Sequence, residues 1–188
     1  MIFREVDDLD LVRGARKGDV QMYNRLVSRW EKRVYNYLLR IVGSPDDALD
    51  VSQEAFLKAY QSLARLDDPA RFGPWLYRIA HNEAISHIRR RRPSEDLEAA
   101  EAAPAPARSL AGVELSLAVE TALARLSADQ REAVILKVCE GFKFDEIAAI
   151  LGCPASTVKS RVYTGLDQLR EILSPHTGAP RPGKEAQQ

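Results

Sequence analysis

The chain lacks most of what advertises covalent chemistry. It has two cysteines, Cys139 and Cys153, fourteen residues apart, with no CxxC and no neighbouring histidine pair. That spacing offers neither a disulfide framework nor a metal site, and both thiols fall in stretches of helical periodicity where core packing is the expectation. There is no glycine-rich phosphate loop and no nucleophile beside a base. His81 and His87 are six apart, which does not put both on one helical face. No catalytic residue, cofactor or metal ligand is therefore expected. No segment approaches the roughly 18 apolar residues of a membrane span. The acidic opening MIFREVDDLD is neither a signal nor a transit peptide, so the expectation is a reduced, cytoplasmic protein with no membrane insertion. Net charge is missing as well: 27 Lys and Arg balance 27 Asp and Glu.

The balance conceals an uneven distribution. Residues 1–92 hold 17 basic against 13 acidic side chains, a net +4. Residues 93–112 hold 1 against 4, net −3, and residues 113–174 hold 7 against 9, net −2. A nucleic-acid binder built this way works through local patches or is held on its target by a partner. Alternating β-branched runs are absent, while helical periodicity recurs in nearly every segment, and a 45 % hydrophobic content is enough for a core. The fold class is all-α: two small helical domains joined by a flexible linker.

In residues 1–92 a first helix starts near Asp7 or Asp8 and breaks at Gly18-Asp19. A second runs from about Val20 to Val42 and stops at Gly43. Ser44-Pro45-Asp46 opens a third, from about Pro45 to Leu63, with proline well placed in its first turn. After the loop at Leu66–Pro69 comes FGPWLYRIAHNEAISHIRRRR, residues 72–92, around which the chain is organised. At about 100° per residue, Phe72, Leu76, Ile79, Ala80, Ala84 and Ile88 form an apolar stripe. Trp75, Arg78, Asn82, Ser86 and Arg89 line another side, and four arginines close the helix where cations suit its dipole. An aromatic beside amides and cations suits unpaired bases and phosphates. The plain alternative is a partly buried tryptophan and a solvated basic end, with Glu83 and His87 paired at i,i+4.

Residues 93–112, PSEDLEAAEAAPAPARSLAG, change to proline, alanine and acids without apolar periodicity, a flexible linker reaching about 65 Å when extended. Two modules on such a tether can occupy separate parts of one long ligand. The second module spans 113–174, and a disordered tail, 175–188, follows. Leu115, Val119, Leu123 and Leu126 make one amphipathic helix, and Ser127-Ala128-Asp129 caps the next, which runs to Gly141. FDEIAAILGCPASTVKSRVYTGLDQLR then has the form of a helix-turn-helix, with Gly152 as the turn. Its second helix, from Ala155 or Ser156, buries Val158, Val162, Leu166 and Leu169. It shows Ser156, Lys159, Ser160, Tyr163 and Thr164, with Arg161 at the edge. Small polar and basic groups on the first turns of such a helix suit a major groove.

Taken in order, these stretches resemble the bacterial RNA polymerase sigma factors, specifically the extracytoplasmic-function (ECF) group of the sigma-70 family. Asp47-Ala48-Leu49-Asp50-Val51-Ser52-Gln53-Glu54-Ala55-Phe56 looks like region 2.2, Phe72–Arg92 like regions 2.3 and 2.4, and Leu126–Arg170 like region 4, closing on Thr157–Arg161. The resemblance implies that residues 1–92 bind polymerase core (β′ and β subunits) through Asp47, Asp50, Gln53 and Glu54. It implies −10 recognition and strand opening by Trp75, Arg78, Asn82, Ser86 and Arg89, with the 64–71 loop helping to hold a flipped base. It also implies −35 recognition by Ser156, Lys159, Ser160, Arg161 and Tyr163. Promoter DNA, duplex and single-stranded, and an anti-sigma factor are the other implied partners, the latter expected to clamp the modules across the linker.

Three departures stand out. Lys143 replaces a frequent Ser N-cap, leaving Glu146 without its capping-box partner. Thr164 stands where a basic residue is common. Gly165 interrupts the recognition helix at about 1 kcal/mol relative to Ala, on a side where close helix packing is a reason for it. The rivals are a free-standing helix-turn-helix regulator, an enzyme acting on nucleic acid, and a pure interaction protein. The first binds an operator tightly without polymerase, the second needs a catalytic constellation, and the third tolerates Asn82→Ala and Lys159→Ala.

Overall fold

Ser, Asp and Gly punctuate this chain, and several of its helices begin or end on them. A computed structural model describes residues 6–91 and 110–174. Helix α1 (Asp8–Arg16) is capped by Asp7, whose carboxylate accepts from the Asp10 N–H. Helix α2 (Val20–Val42) starts on Asp19, which accepts from the Gln21 and Met22 N–H groups, and ends at Gly43. Helix α3 (Pro45–Ser62) starts on Ser44 with proline in its first turn and Asp46 and Asp47 complementing the dipole. Short 3-10 turns at Leu63–Arg65 and Pro69–Arg71 lead into α4 (Phe72–Arg91).

The second stretch begins with α5 (Leu110–Ala124), three residues ahead of the boundary read from the sequence. The other residues assigned to a linker, and the tail from 175, lie outside the described residues. Helix α6 (Ala128–Val134) carries a capping box between Ser127 and Gln130 and runs into one π-helical turn, Ile135–Cys139. Helices α7 (Phe144–Leu151) and α8 (Ala155–Leu173) form the helix-turn-helix, joined by Gly152 at φ 64°. Only glycine takes that left-handed corner without a Cβ penalty. No strand occurs among the described residues.

Leu11, Leu26, Tyr37, Leu38, Leu76 and Tyr77 are fully buried in the first module, as are Leu136, Ile147 and Val158 in the second, with Ile150 beside them. These belong to one contiguous apolar cluster, so the modules are packed together, α4 against α7. The sequence pattern pointed to two bodies on a tether; it carried no sign of this docking.

Several side-chain expectations are corrected. Glu83 and His87 do not pair: Glu83 takes Lys58 Nζ at 2.6 Å, and His87 lies 3.3 Å from Asp47. Cys139 is exposed rather than buried: it lies at the end of the π turn, beside the exposed Val138, while Ile135 and Leu136 at its start are buried. An inserted residue there rotates the positions off the 3.6-residue register. Val119 and Leu166 are about one-third exposed. Glu146 keeps half a capping box, accepting from the Lys143 backbone N–H at 2.8 Å.

Candidate functional site

Three surfaces collect the side chains that the sequence singled out. The first is the outer face of α3. Asp50, Gln53 and Glu54 are exposed there, and Glu54 sits 3.5 Å from Lys58 at i,i+4. Asp47 behaves differently: its carboxylate, mostly buried, is held by Arg91 and His87 from the end of α4. Sequence reasoning passed over Leu49 and Leu57, each 50 % exposed on the same helix, and Tyr60 beyond them. Their signal was present: Leu49, Gln53 and Leu57 are spaced i, i+4, i+8, one stripe of a helix that the core does not use. Apolar anchors among acids make a protein-docking face of mixed character.

The second surface is the exposed edge of α4. Arg78, Asn82, Ser86 and Arg89 are exposed along it, with Trp75 half-buried at its head, its ring 6.0 Å from Phe72. Asn82 also lines a groove of about 380 Å³ between α3 and α4, with Lys58, Gln61, Arg65 and Glu83. Hydrogen bonding to Glu83 raises the Lys58 ammonium above its ordinary range, so it is charged at any physiological pH. A cation, an amide and an arginine around an open groove give donors for a base edge and its phosphate.

The third surface is α8. Ser156, Lys159, Ser160, Tyr163 and Thr164 are exposed on its first turns. Arg161 is not free: it pairs with Asp129 and donates to Cys153 Sγ at 3.6 Å, tying α8 to α6 and to the turn. Phe144 is a residue the sequence reading missed. Its ring meets Tyr163 at 6.1 Å and lies under both Lys137 (4.8 Å) and Lys159 (5.8 Å). That cation–π seat orients two ammonium groups on the α8 side without neutralising them.

Among the described residues no cluster of His, Cys, Asp or Glu could hold a metal ion, and no helix is long and apolar enough to cross a membrane.

Comparison with known proteins matches the same stretches. The Sigma-70 region 2 family matches residues 26–94, and the Sigma-70 region 4 family residues 116–169. The chain is 35 % identical to the ECF RNA polymerase sigma-E factor of Escherichia coli (strain K12), over 91 % of this chain and 96 % of that one. It is 31 % identical to the RNA polymerase sigma-H factor of Pseudomonas aeruginosa, over 89 % and 94 % of the two. Among solved structures it is similar to CnrH in complex with the cytosolic domain of CnrY. There the TM-score is 0.69 and the identity 25 %, over 90 % of this chain and 99 % of that one. It is also similar to the sigma factor RpoE in complex with the anti-sigma factor NepR from Bartonella quintana. That match has a TM-score of 0.68 and 29 % identity, over 81 % and 96 %.

The chain belongs to the ECF group of the sigma-70 family. It is a non-enzymatic transcription initiation factor, which binds RNA polymerase core and directs it to promoters.

Proposed function

We propose that the three surfaces divide the work of initiation. The α3 face, with Asp50, Gln53 and Glu54 as its polar contacts and Leu49 and Leu57 as its apolar anchors, docks on polymerase core. Asp47 stands at the edge of that face and braces the basic end of α4. The α4 edge, Arg78, Asn82, Ser86 and Arg89 with Trp75, meets the −10 element, and the groove lined by Arg65 and Asn82 receives a base flipped from the opened strand. Flipping costs a few kcal/mol, which stacking and hydrogen bonds in such a groove offset. On α8, Ser156, Lys159, Ser160 and Tyr163 read the −35 element, while Arg161 positions the helix through Asp129.

One observation carries this reading: two separate polar stripes, on α4 and α8, are exposed, while Leu76, Ala80 and Ala84 of α4 and Val158 and Val162 of α8 are buried in the core. The solved relative in complex with an anti-sigma factor supports such a partner for this chain too. Action on polymerase makes the cytoplasm its place.

The test is run-off transcription with purified bacterial core polymerase and the DNA upstream of the protein's own gene. Specific initiation is expected with the wild-type chain and is expected to be lost with Asp50→Ala/Glu54→Ala. Tight binding of the isolated protein to the same DNA, without core binding or initiation, would establish a free-standing regulator instead.

A further inference from the structure

Between α3 and α4 the chain makes two short 3-10 turns, Leu63–Arg65 and Pro69–Arg71, and neither is closed by a glycine. A helix end leaves carbonyls with no partner inside the helix, and something outside must meet them. Here a donor comes from α1. Arg16, the last residue of that helix, donates from one guanidinium nitrogen to the Leu66 carbonyl at 3.2 Å and from the other to the Ala64 carbonyl at 3.5 Å. Helix α1 packs along both turns.

Those two carbonyls flank Arg65, whose side chain lines the groove between α3 and α4 together with Asn82. Leu63 and Leu66 are buried and anchor the loop from the core side. Asp68 holds the next turn by accepting from the Ala70 N–H at 3.0 Å. Arg65 therefore stands between backbone points that are fixed from α1 and from the core.

A guanidinium suits this task. Its rigid planar fork reaches two neighbouring carbonyls in one orientation, and its charge suits the end of a helix. A loop set in place before its ligand arrives does not lose that freedom on binding. Arg16 itself does not line the groove, and it lies ahead of residues 26–94, which carry the region 2 match.

We propose that Arg16 is a positioning residue for the captured base. By gripping the carbonyls on either side of Arg65 it presets the 64–71 loop, and it does so without touching DNA. The proposal rests on the reading given above, that this groove receives a base flipped from the opened strand.

The experiment uses holoenzyme made from the full chain and purified core, with short forks that expose the −10 element as non-template single strand. Each base of the element is replaced in turn by an abasic site, and affinities are measured for wild type, Arg16→Ala and Arg16→Gln. The wild type should lose about tenfold at the position whose base enters the groove. Arg16→Ala should bind the intact fork about fivefold more weakly, the effect of a lost hydrogen-bonded support. At that same position it should lose only about twofold more, because changes that act on one contact are not additive. Arg16→Gln keeps an amide donor for one carbonyl and should fall between the two. The slope of log K against log salt should stay at the wild-type value, whereas a guanidinium on a phosphate would contribute about 0.7 to it. Core affinity and the circular dichroism spectrum should be unchanged in both variants.

An abasic penalty of equal size in all three proteins would overturn the proposal and leave the flipped-base reading standing. A reduced salt slope would overturn it too, by putting Arg16 on the DNA. Loss of core affinity in both variants would make Arg16 a support of the whole module instead. No abasic penalty at any position in the wild type would remove the flipped-base reading, and the proposal with it.

Discussion

Lys159 and Gly165 sit six residues apart on α8 and answer to different physics. Lys159 is exposed and seated over Phe144, so its ammonium is available to a phosphate. Lys159→Ala should weaken binding of holoenzyme to −35 DNA and reduce the slope of log K against log salt by about 0.9, the release of one counterion. An unchanged slope in a salt titration would remove Lys159 from the interface. Gly165 is buried, and a Cβ there would meet Val134 Cγ2 at 2.8 Å. Helix propensity alone favours Gly165→Ala by about 1 kcal/mol. Overpacking a core costs about 1–3 kcal/mol, so the packing term wins. Urea denaturation should show a loss on the order of 1 kcal/mol, whereas a gain would mean that α6 and α8 move apart freely. The sequence showed the glycine and its buried side; the contact that decides the sign comes from Val134, thirty-one positions earlier.

At the scale of elements, α2 and α3 were legible nearly to the residue, because Asp19, Gly43, Ser44 and Pro45 satisfy or terminate backbone hydrogen bonds locally. Pairing between elements was not. Glu83 finds Lys58, and His87 finds Asp47, across the α3–α4 contact, where no i,i+4 rule applies. The π turn was equally hidden, since its register shift undoes the periodicity used to place Cys139 inward. The exposed stripe of α3 yields an element-scale prediction. Leu57→Ala, at a half-exposed position, should lower affinity for polymerase core about tenfold if Leu57 is an anchor. Its melting temperature should stay within about a degree of wild type, as exposed positions contribute little to stability. A binding titration with core and a thermal melt check both halves.

For the whole molecule, the docked arrangement places two phenols against carboxylates. Burial first, and then the neighbouring Glu132 charge, holds the Tyr37 hydroxyl well above its ordinary range. Burial and Glu140 do the same to Tyr77. The sign follows directly: a raised value in the folded state favours the neutral phenol. The stabilisation is complete below the unfolded value of about 10 and is lost as pH rises above it. Stability measured by denaturation across alkaline pH should fall more steeply for the wild type than for Tyr37→Phe/Tyr77→Phe. Parallel curves would mean that these hydroxyls are not buried in solution.

By itself the sequence determined the helices, their caps, the two modules, the helix-turn-helix and both polar stripes, because periodicity and capping are local and the core uses only one side of each helix. Nearly every residue proposed to meet DNA was named from those patterns. Tertiary structure alone decided which charges are free. It assigned Asp47 to Arg91 and His87, Arg161 to Asp129, and the hydroxyls of Tyr37 and Tyr77 to carboxylates 95 and 63 residues away. A tyrosine in an apolar stripe looks like core in any sequence. Whether its hydroxyl ends in solvent or on a partner depends on what the chain brings over it.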